Sequence, residues 1–203
     1  MLLLFIDIDG TLVDDIIPYL EEYYNLLGNK SSVESLKPKL IHALYHGLMR
    51  PHITLFLQTL SKQQDNFRLY IYTASDNTEG WVDFLIHCIE EVTSVKFERP
   101  LFTRAHCVKI SKYEYYKSFA HVYSKINRKP YLKGNTKESI LNNMILIDNT
   151  PMILCDSGNL IVCETYKSNT YDTMVDKLFW DKCYKYLTSE KQNLKHMYYK
   201  KFL

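Results

Sequence analysis

The sequence predicts a doubly wound α/β domain, a mostly parallel sheet covered by helices on both faces, with a helical insertion after the first strand. Three observations carry this. Short runs are apolar throughout, segments of helical period alternate with them, and three of the runs end in a candidate reactive residue, Asp7, Thr73 and Asp148. A short run without polar alternation reads as a strand buried on both faces, the condition of strands in parallel sheets. Strands separated by helical patterns read as βαβ units.

Residues 2–8 form the first run and break at the turn containing Gly10. Residues 15–27 carry apolar side chains at helical spacing and stop at Gly28, a plausible glycine just past a helix end. Residues 29–34 are polar and read as a loop; 40–48 and 54–60 read as two further helices, the second just after Pro51. Residues 68–73 are the second buried strand, 81–91 a helix, 100–102 a short strand and 112–126 an aromatic, basic helix. The strands at 144–147 and 160–163 follow, and a helix over 171–187 closes the domain.

A chain of 203 residues with 46% hydrophobic and 24% charged residues has enough apolar sequence for one substantial core. The predicted domain spans 1–187, with a basic tail over 188–203. A net charge of +2 gives no global attraction to polyanions. Cys88, Cys107, Cys155, Cys163 and Cys183 are scattered and odd in number, which reads as reduced thiols in the cytoplasm or nucleus. Cys155 and Cys163, flanking a strand, read as small core residues. The apolar start has no basic region and meets Asp7 at once, so neither signal peptide nor membrane span is read. His52, His87, His106 and His121 have no partners at metal-ligand spacing.

Ligands of open parallel sheets sit beyond the carboxyl ends of the strands, so Asp7, Thr73 and Asp148 should converge on one crevice. Asp7 and Asp9 lie two apart at a strand end, and Gly10 permits the tight bend that brings backbone N–H groups to a phosphate. A carboxylate attacking phosphorus needs its charge offset, which a hard divalent cation held by oxygen ligands supplies. Asp7, Asp148 and the Asp9 carbonyl are the candidate ligands for Mg2+. The Asp9 side chain, kept off the metal, would protonate the leaving oxygen and then activate water. Thr73 would donate to a phosphoryl oxygen, supported by the backbone after it, and a lysine is required to neutralise the crowded charge.

The tract Asp7-Ile8-Asp9-Gly10-Thr11-Leu12-Val13 resembles the first motif of the haloacid dehalogenase superfamily of phosphohydrolases. Further tracts resemble its RNA polymerase II C-terminal-domain phosphatase group, also called nuclear LIM interactor-interacting factor-like. They are Arg50-Pro51, Tyr72-Thr73-Ala74-Ser75, the stretch 101–107, the stretch 145–151 and Asn159-Leu160-Ile161-Val162. The resemblance implies a haloacid dehalogenase-like Rossmannoid fold with Asp7 as nucleophile and Asp9 as general acid/base. It further implies phosphate contact through Thr73, with Gly10, Thr11, Ala74, Ser75 and Arg50 as substrate contacts, and metal binding through Asp148 with Asn149 beside it. The family's lysine lies in a Tyr-Val-Lys-like tract, matched best by Tyr131-Leu132-Lys133, with Lys137 as the alternative.

Two regions depart from the family. Residues 14–49 look helical where the family carries a small strand-rich flap, and Tyr19, Tyr23, Tyr24 and Tyr45 within them read mainly as packing residues. Residues 109–130 read as a basic, aromatic insertion, with Lys109, Lys112, Lys117, Lys125, Arg128 and Lys129 among Tyr113, Tyr115, Tyr116, Phe119 and Tyr123. Such interleaving suits either an ordinary amphipathic helix with a charged face or a surface for single-stranded nucleic acid or a phosphorylated chain. The leading expectation is a Mg2+-dependent phosphoserine/phosphothreonine protein phosphatase working through a phosphoaspartate. A nucleotide or nucleic-acid end phosphatase and a catalytically weak binding scaffold are the alternatives. Neither the oligomeric state nor the physiological substrate is read from the sequence.

Overall fold

In a computed structural model, the structure describes residues 1–112, 114–151, 153–154 and 159–189. Strand β1 (Leu2–Ile6) lies between β2 (Phe67–Ile71) and β5 (Met144–Asp148), and β6 (Asn159–Val162) lies outside β5. All three pairings are parallel, with Leu4 opposite Leu69 on one side and Ile145 on the other. The apolar run of β1 is explained by its position. Leu2, Leu4 and Ile6 enter one core layer while Leu3 and Phe5 enter the other, so no position is left for a polar side chain.

The first layer is covered by α1 (Ile17–Gly28), α2 (Lys37–Ala43), α3 (Ile53–Ser61), α4 (Trp81–Thr93) and the closing α7 (Thr173–Thr188). In α4 the buried Trp81, Leu85, Ile86 and Ile89 recur at helical spacing, which fixes the face it presents to the sheet. A short hairpin, β3 (Val108–Lys109) and β4 (Tyr115–Tyr116), leads to α5 (Phe119–Ile126), and α6 (Lys137–Asn142) precedes β5. Helix α5 starts at the N-cap Ser118, whose side chain accepts from His121 N–H, and buries Phe119, Val122 and Ile126 in the second layer.

The expected helix over 112–126 is therefore corrected: its first residues belong to the hairpin and only Phe119 onward is helical. The expected strand at 100–102 is reduced to a single bridge between Tyr72 and Phe102. The expected helix over 40–48 ends at Ala43 and passes into a π-turn, Leu44–Leu48, where Gly47 takes a φ of +107° that a side chain would strain. Helix α6 has no counterpart in the sequence reading. Tyr23 is buried, and Tyr19 and Tyr24 pack against the core, whereas Tyr45 is exposed. Cys88, Cys107, Cys163 and Cys183 are free thiols, and Cys163 is buried as expected. Cys155, Tyr113 and the tail from residue 190 lie outside the described residues. Among the described residues, no helix is long and apolar enough to cross a membrane.

One buried ion pair ties the two ends of the first layer together. Arg50, following α2 and its turn, donates from Nε to Asp176 Oδ1 of α7 at 2.8 Å and from Nη1 to the Glu164 carbonyl at 2.8 Å. Asp176 also accepts from the Tyr171 hydroxyl and, at 3.0 Å, from Trp180 Nε1. Arg50, expected to contact substrate, is 2% exposed and spends its donors inside the fold. Asp176→Asn should leave the guanidinium charge buried without its counter-ion and lower stability by about 3–5 kcal/mol. Chemical denaturation measures this, and a loss below about 1 kcal/mol would contradict the structural role.

Candidate active site

The carboxyl ends of β1, β2 and β5 open onto a cavity of about 270 Å³ lined by Asp7, Asp9, Thr73, Lys117, Asp148 and Arg104, among others. Asp7 follows β1 and stays in the sheet ladder through its N–H bond to the Ile147 carbonyl, 3.0 Å. Asp148 is the last residue of β5; its Oδ1 accepts from Thr150 N–H at 2.8 Å. Between the two carboxylates lies the ammonium of Lys117, 2.7 Å from Asp7 Oδ1 and 2.5 Å from Asp148 Oδ2. Its side chain is 1% exposed.

Lys117 is delivered by the junction of β4 and α5. Its N–H donates to the Ile153 carbonyl at 2.9 Å, and the next N–H, that of Ser118, donates to the Tyr72 hydroxyl at 2.8 Å. The Tyr72 ring lies 5.6 Å from the ammonium, and its hydroxyl donates to the His106 carbonyl at 3.0 Å. The stretch expected to be a surface insertion thus brings a charge into the site. Lys133 does not enter it: Leu132 turns into the core, and Lys133, at the end of the 3-10 turn Pro130–Leu132, is exposed. Lys137 is also exposed and lies over the Tyr123 ring. The sequence holds several other Tyr-x-Lys tracts, and one of them, Tyr115-Tyr116-Lys117, lies directly before an N-cap serine. Ser118, ahead of the apolar positions Phe119, Val122 and Ile126, is the local sign of a helix start there, but no local pattern marks Lys117 as buried.

Asp9 is half-buried and accepts from the Ser75 hydroxyl, which holds its carboxylate at the cavity. Thr73 is fully buried, its Oγ1 accepting from Ser75 N–H at 3.0 Å, and Ala74 and Ser75 line the cavity with it. Gly10 and Thr11 shape the wall from behind. Gly10 has a φ of +72°, and a Cβ there would meet Asn149 Nδ2 at 2.7 Å. The buried Thr11 hydroxyl accepts from Asn149 N–H at 3.0 Å, tying the ends of β1 and β5 together. Arg50 is not among the lining residues. Arg104, absent from the expected set, donates from Nε to the Ala74 carbonyl at 2.8 Å and lies 5.1 Å from the Tyr115 ring.

Burial pushes the Asp7 carboxyl up to about 7, with Asp148 adding to the rise and Lys117 opposing it. Burial works to discharge Lys117, but Asp7 and Asp148 outweigh it and hold the ammonium above the usual lysine range. One buried cation thus faces two buried carboxylates with Asp9 nearby, an excess of negative charge. All-oxygen donors carrying surplus charge fit a hard divalent cation. Among the described residues no group of three or more His, Cys, Asp or Glu is placed to hold a metal, so carbonyl and water oxygens would complete its shell. Asn149, expected near a metal, lines the cavity with its amide held by Thr11 at 3.4 Å and Thr165 at 3.0 Å.

A carboxyl raised on folding favours the fold at low pH, and that contribution is lost as pH climbs from its ordinary value of 3.8 toward about 7. Asp7→Asn should therefore melt higher than wild type in metal-free buffer above that window and lose this advantage below it. Thermal melts across pH check this; a variant that melts lower than wild type above the window contradicts it.

A family model described as NLI interacting factor-like phosphatase matches residues 2–197. A search of curated proteins finds no significant match. Among solved structures, a variant of the fission yeast RNA polymerase II CTD phosphatase Fcp1 bound to beryllium fluoride is similar at 15% identity, with a TM-score of 0.50. The match covers 92% of this chain and 49% of that one. A second structure, of Fcp1 described as an essential RNA polymerase II CTD phosphatase, has 17% identity and a TM-score of 0.48, covering 82% of this chain and 42% of that one. This chain thus spans about half the length of the solved chains it matches or less, and the first likeness supports the haloacid dehalogenase-like fold. With the family model spanning nearly the whole sequence, the chain belongs to the NLI interacting factor-like phosphatase family.

Proposed function

We propose that this chain hydrolyses phosphomonoesters through a phosphoaspartate on Asp7, acting on phosphoserine or phosphothreonine of a protein. The observation that carries the proposal is the buried Asp7–Lys117–Asp148 set beneath an open cavity, with Asp9 held beside it by Ser75. The family and the similarity to an RNA polymerase II CTD phosphatase support a phosphoprotein substrate.

A free Asp7 oxygen attacks phosphorus while the P–O bond to the leaving group breaks, and Asp9 gives its proton to the departing alkoxide. Asp9 then takes a proton from the water that attacks the phosphoaspartate, and phosphate leaves with Asp7 restored. Lys117 keeps the Asp7 carboxylate oriented and offsets phosphoryl charge, while Thr73 and the backbone after it receive the phosphoryl oxygens. Asp7, Asp148 and the Asp9 carbonyl would hold Mg2+, which would supply further charge neutralisation when bound. Among the described residues, none from 14–49 lines the cavity, so this helical segment leaves the entrance open to a phosphate carried on a large substrate.

Hydrolysis of an aryl phosphate should require added Mg2+ and vanish in Asp7→Asn. Absence of wild-type turnover above that variant would contradict the proposal. Lys117→Met should lower kcat at least about a hundredfold, whereas Lys133→Gln should leave it within about twofold because that side chain is solvated. Steady-state assays on the two variants, each confirmed folded by circular dichroism, decide which lysine serves the site.

A further inference from the structure

A second hollow of about 450 Å³ lies at the start of β2, lined among others by Arg68, Lys96, Glu98, Arg99, Lys129 and Tyr131. Its cations outnumber its carboxylates. The buried Glu90 accepts from Lys96 at 3.1 Å, from Arg99 at 3.0 Å and from Phe97 N–H at 2.9 Å. Glu98 lies 3.5 Å from Arg68 Nε and 3.7 Å from Lys129 Nζ. Four cations thus share two carboxylates, and the surplus of two positive charges matches a phosphate monoester, which carries about −1.5 to −2 near neutral pH.

The cations are also arranged rather than merely crowded. The Arg68 guanidinium is held over the Tyr131 ring, 4.9 Å from its centroid, and the Tyr131 hydroxyl is bonded to that of Tyr70. Arg99 is anchored on Glu90 and on the Phe97 carbonyl at 2.9 Å. Lys96 and Lys129 keep 74% and 30% of their side chains exposed, so their ammonium groups remain reachable by an anion.

The hollow and the catalytic cavity share one edge of the sheet. Residues 96–104 run beside β2, with Glu98 N–H bonded to the Leu69 carbonyl at 2.7 Å, Phe102 N–H to Ile71 at 3.0 Å and Arg104 N–H to Ser75 at 3.0 Å. That segment starts at the hollow with Lys96 and ends at the catalytic cavity with Arg104. Arg68 precedes Thr73 by five residues along the same edge, a distance of about 16 Å at the rise of a strand. An extended peptide covers that distance in about five residues.

We propose that the hollow is a second phosphoryl-binding site, which takes a phosphorylated side chain of the same peptide about five residues from the one being hydrolysed. The proposal rests on the phosphoprotein reading above. Holding a second phosphate makes delivery of the first intramolecular and raises its effective concentration at Asp7.

The test compares synthetic peptides bearing one phosphoserine with peptides bearing two at a series of spacings, using wild type and the double variant Lys96→Gln/Lys129→Gln. At the best spacing the second phosphate should lower KM about tenfold with kcat unchanged. The double variant should lose that preference and keep wild-type kcat/KM on the singly phosphorylated peptide. No dependence on spacing, or a preference that survives in the double variant, would overturn the second site. The same peptides titrated against Asp7→Asn protein, with and without the two lysine substitutions, read the hollow without turnover. A lysine-dependent preference there alongside an inactive wild type would remove the phosphatase reading and leave the hollow. Turnover without any preference would do the reverse.

Discussion

An ammonium group buried between two carboxylates survives only where the segments that carry the three charges are held in fixed positions. Lys117 sits in that situation, 2.7 Å from Asp7 and 2.5 Å from Asp148. Removing such charges from water costs several kcal/mol per ion, and their attraction compensates only at close, well-aligned contact. Much of the surrounding structure serves that alignment. Asp7 and Asp148 come from adjacent parallel strands, so their backbones are fixed by the ladder. Lys117 comes from a different connection and is pinned by the Ile153 carbonyl and by the bond from Ser118 to Tyr72.

A second set of contacts keeps the loops beyond the strands from drifting. Thr11 accepts from Asn149 N–H and so links the turn after β1 to the turn after β5. Gly10 leaves room for the Asn149 amide. Arg50 reaches the carbonyls of Thr11 and Glu164 while paired with Asp176, connecting that turn to α7. The residues nearest the reacting atoms are therefore supported by residues that never touch them. The arrangement suits a centre that works by placed charge, since charge held in advance needs no reorganisation during reaction.

The layout of the sheet and the positions of Asp7, Asp9, Thr73 and Asp148 were legible because strand ends in a parallel sheet are marked by local sequence alone. The apolar runs locate the strands, and whatever follows each run must face the same crevice. Lys117 was not legible in the same way. Its contacts with Asp7 span 110 residues, and a lysine between tyrosines and a serine carries the same local pattern whether it is solvated or buried. Arg50 misled for a related reason: the Arg-Pro tract is a recognisable signal, but its partner Asp176 lies 126 residues away and nothing local announces the pair. The two short strands of the hairpin hid a strand-to-helix junction inside what read as one aromatic, basic helix.

The helical segment at 14–49 packs on the first core layer and, among the described residues, contributes nothing to the cavity wall. On the proposed reading, selection of substrate falls on the edge of β2 and the chain beside it, where the cations cluster. In the proposed reaction Asp7 becomes covalently phosphorylated. Acid quenching of the Asp9→Asn variant with a phosphate-labelled substrate, followed by borohydride reduction and peptide mapping, tests that point directly. An acyl phosphate reduced by borohydride turns aspartate into homoserine, so the account predicts homoserine at position 7 in the labelled sample alone. Aspartate persisting at that position while phosphate is still released, or label carried by another residue, would contradict it.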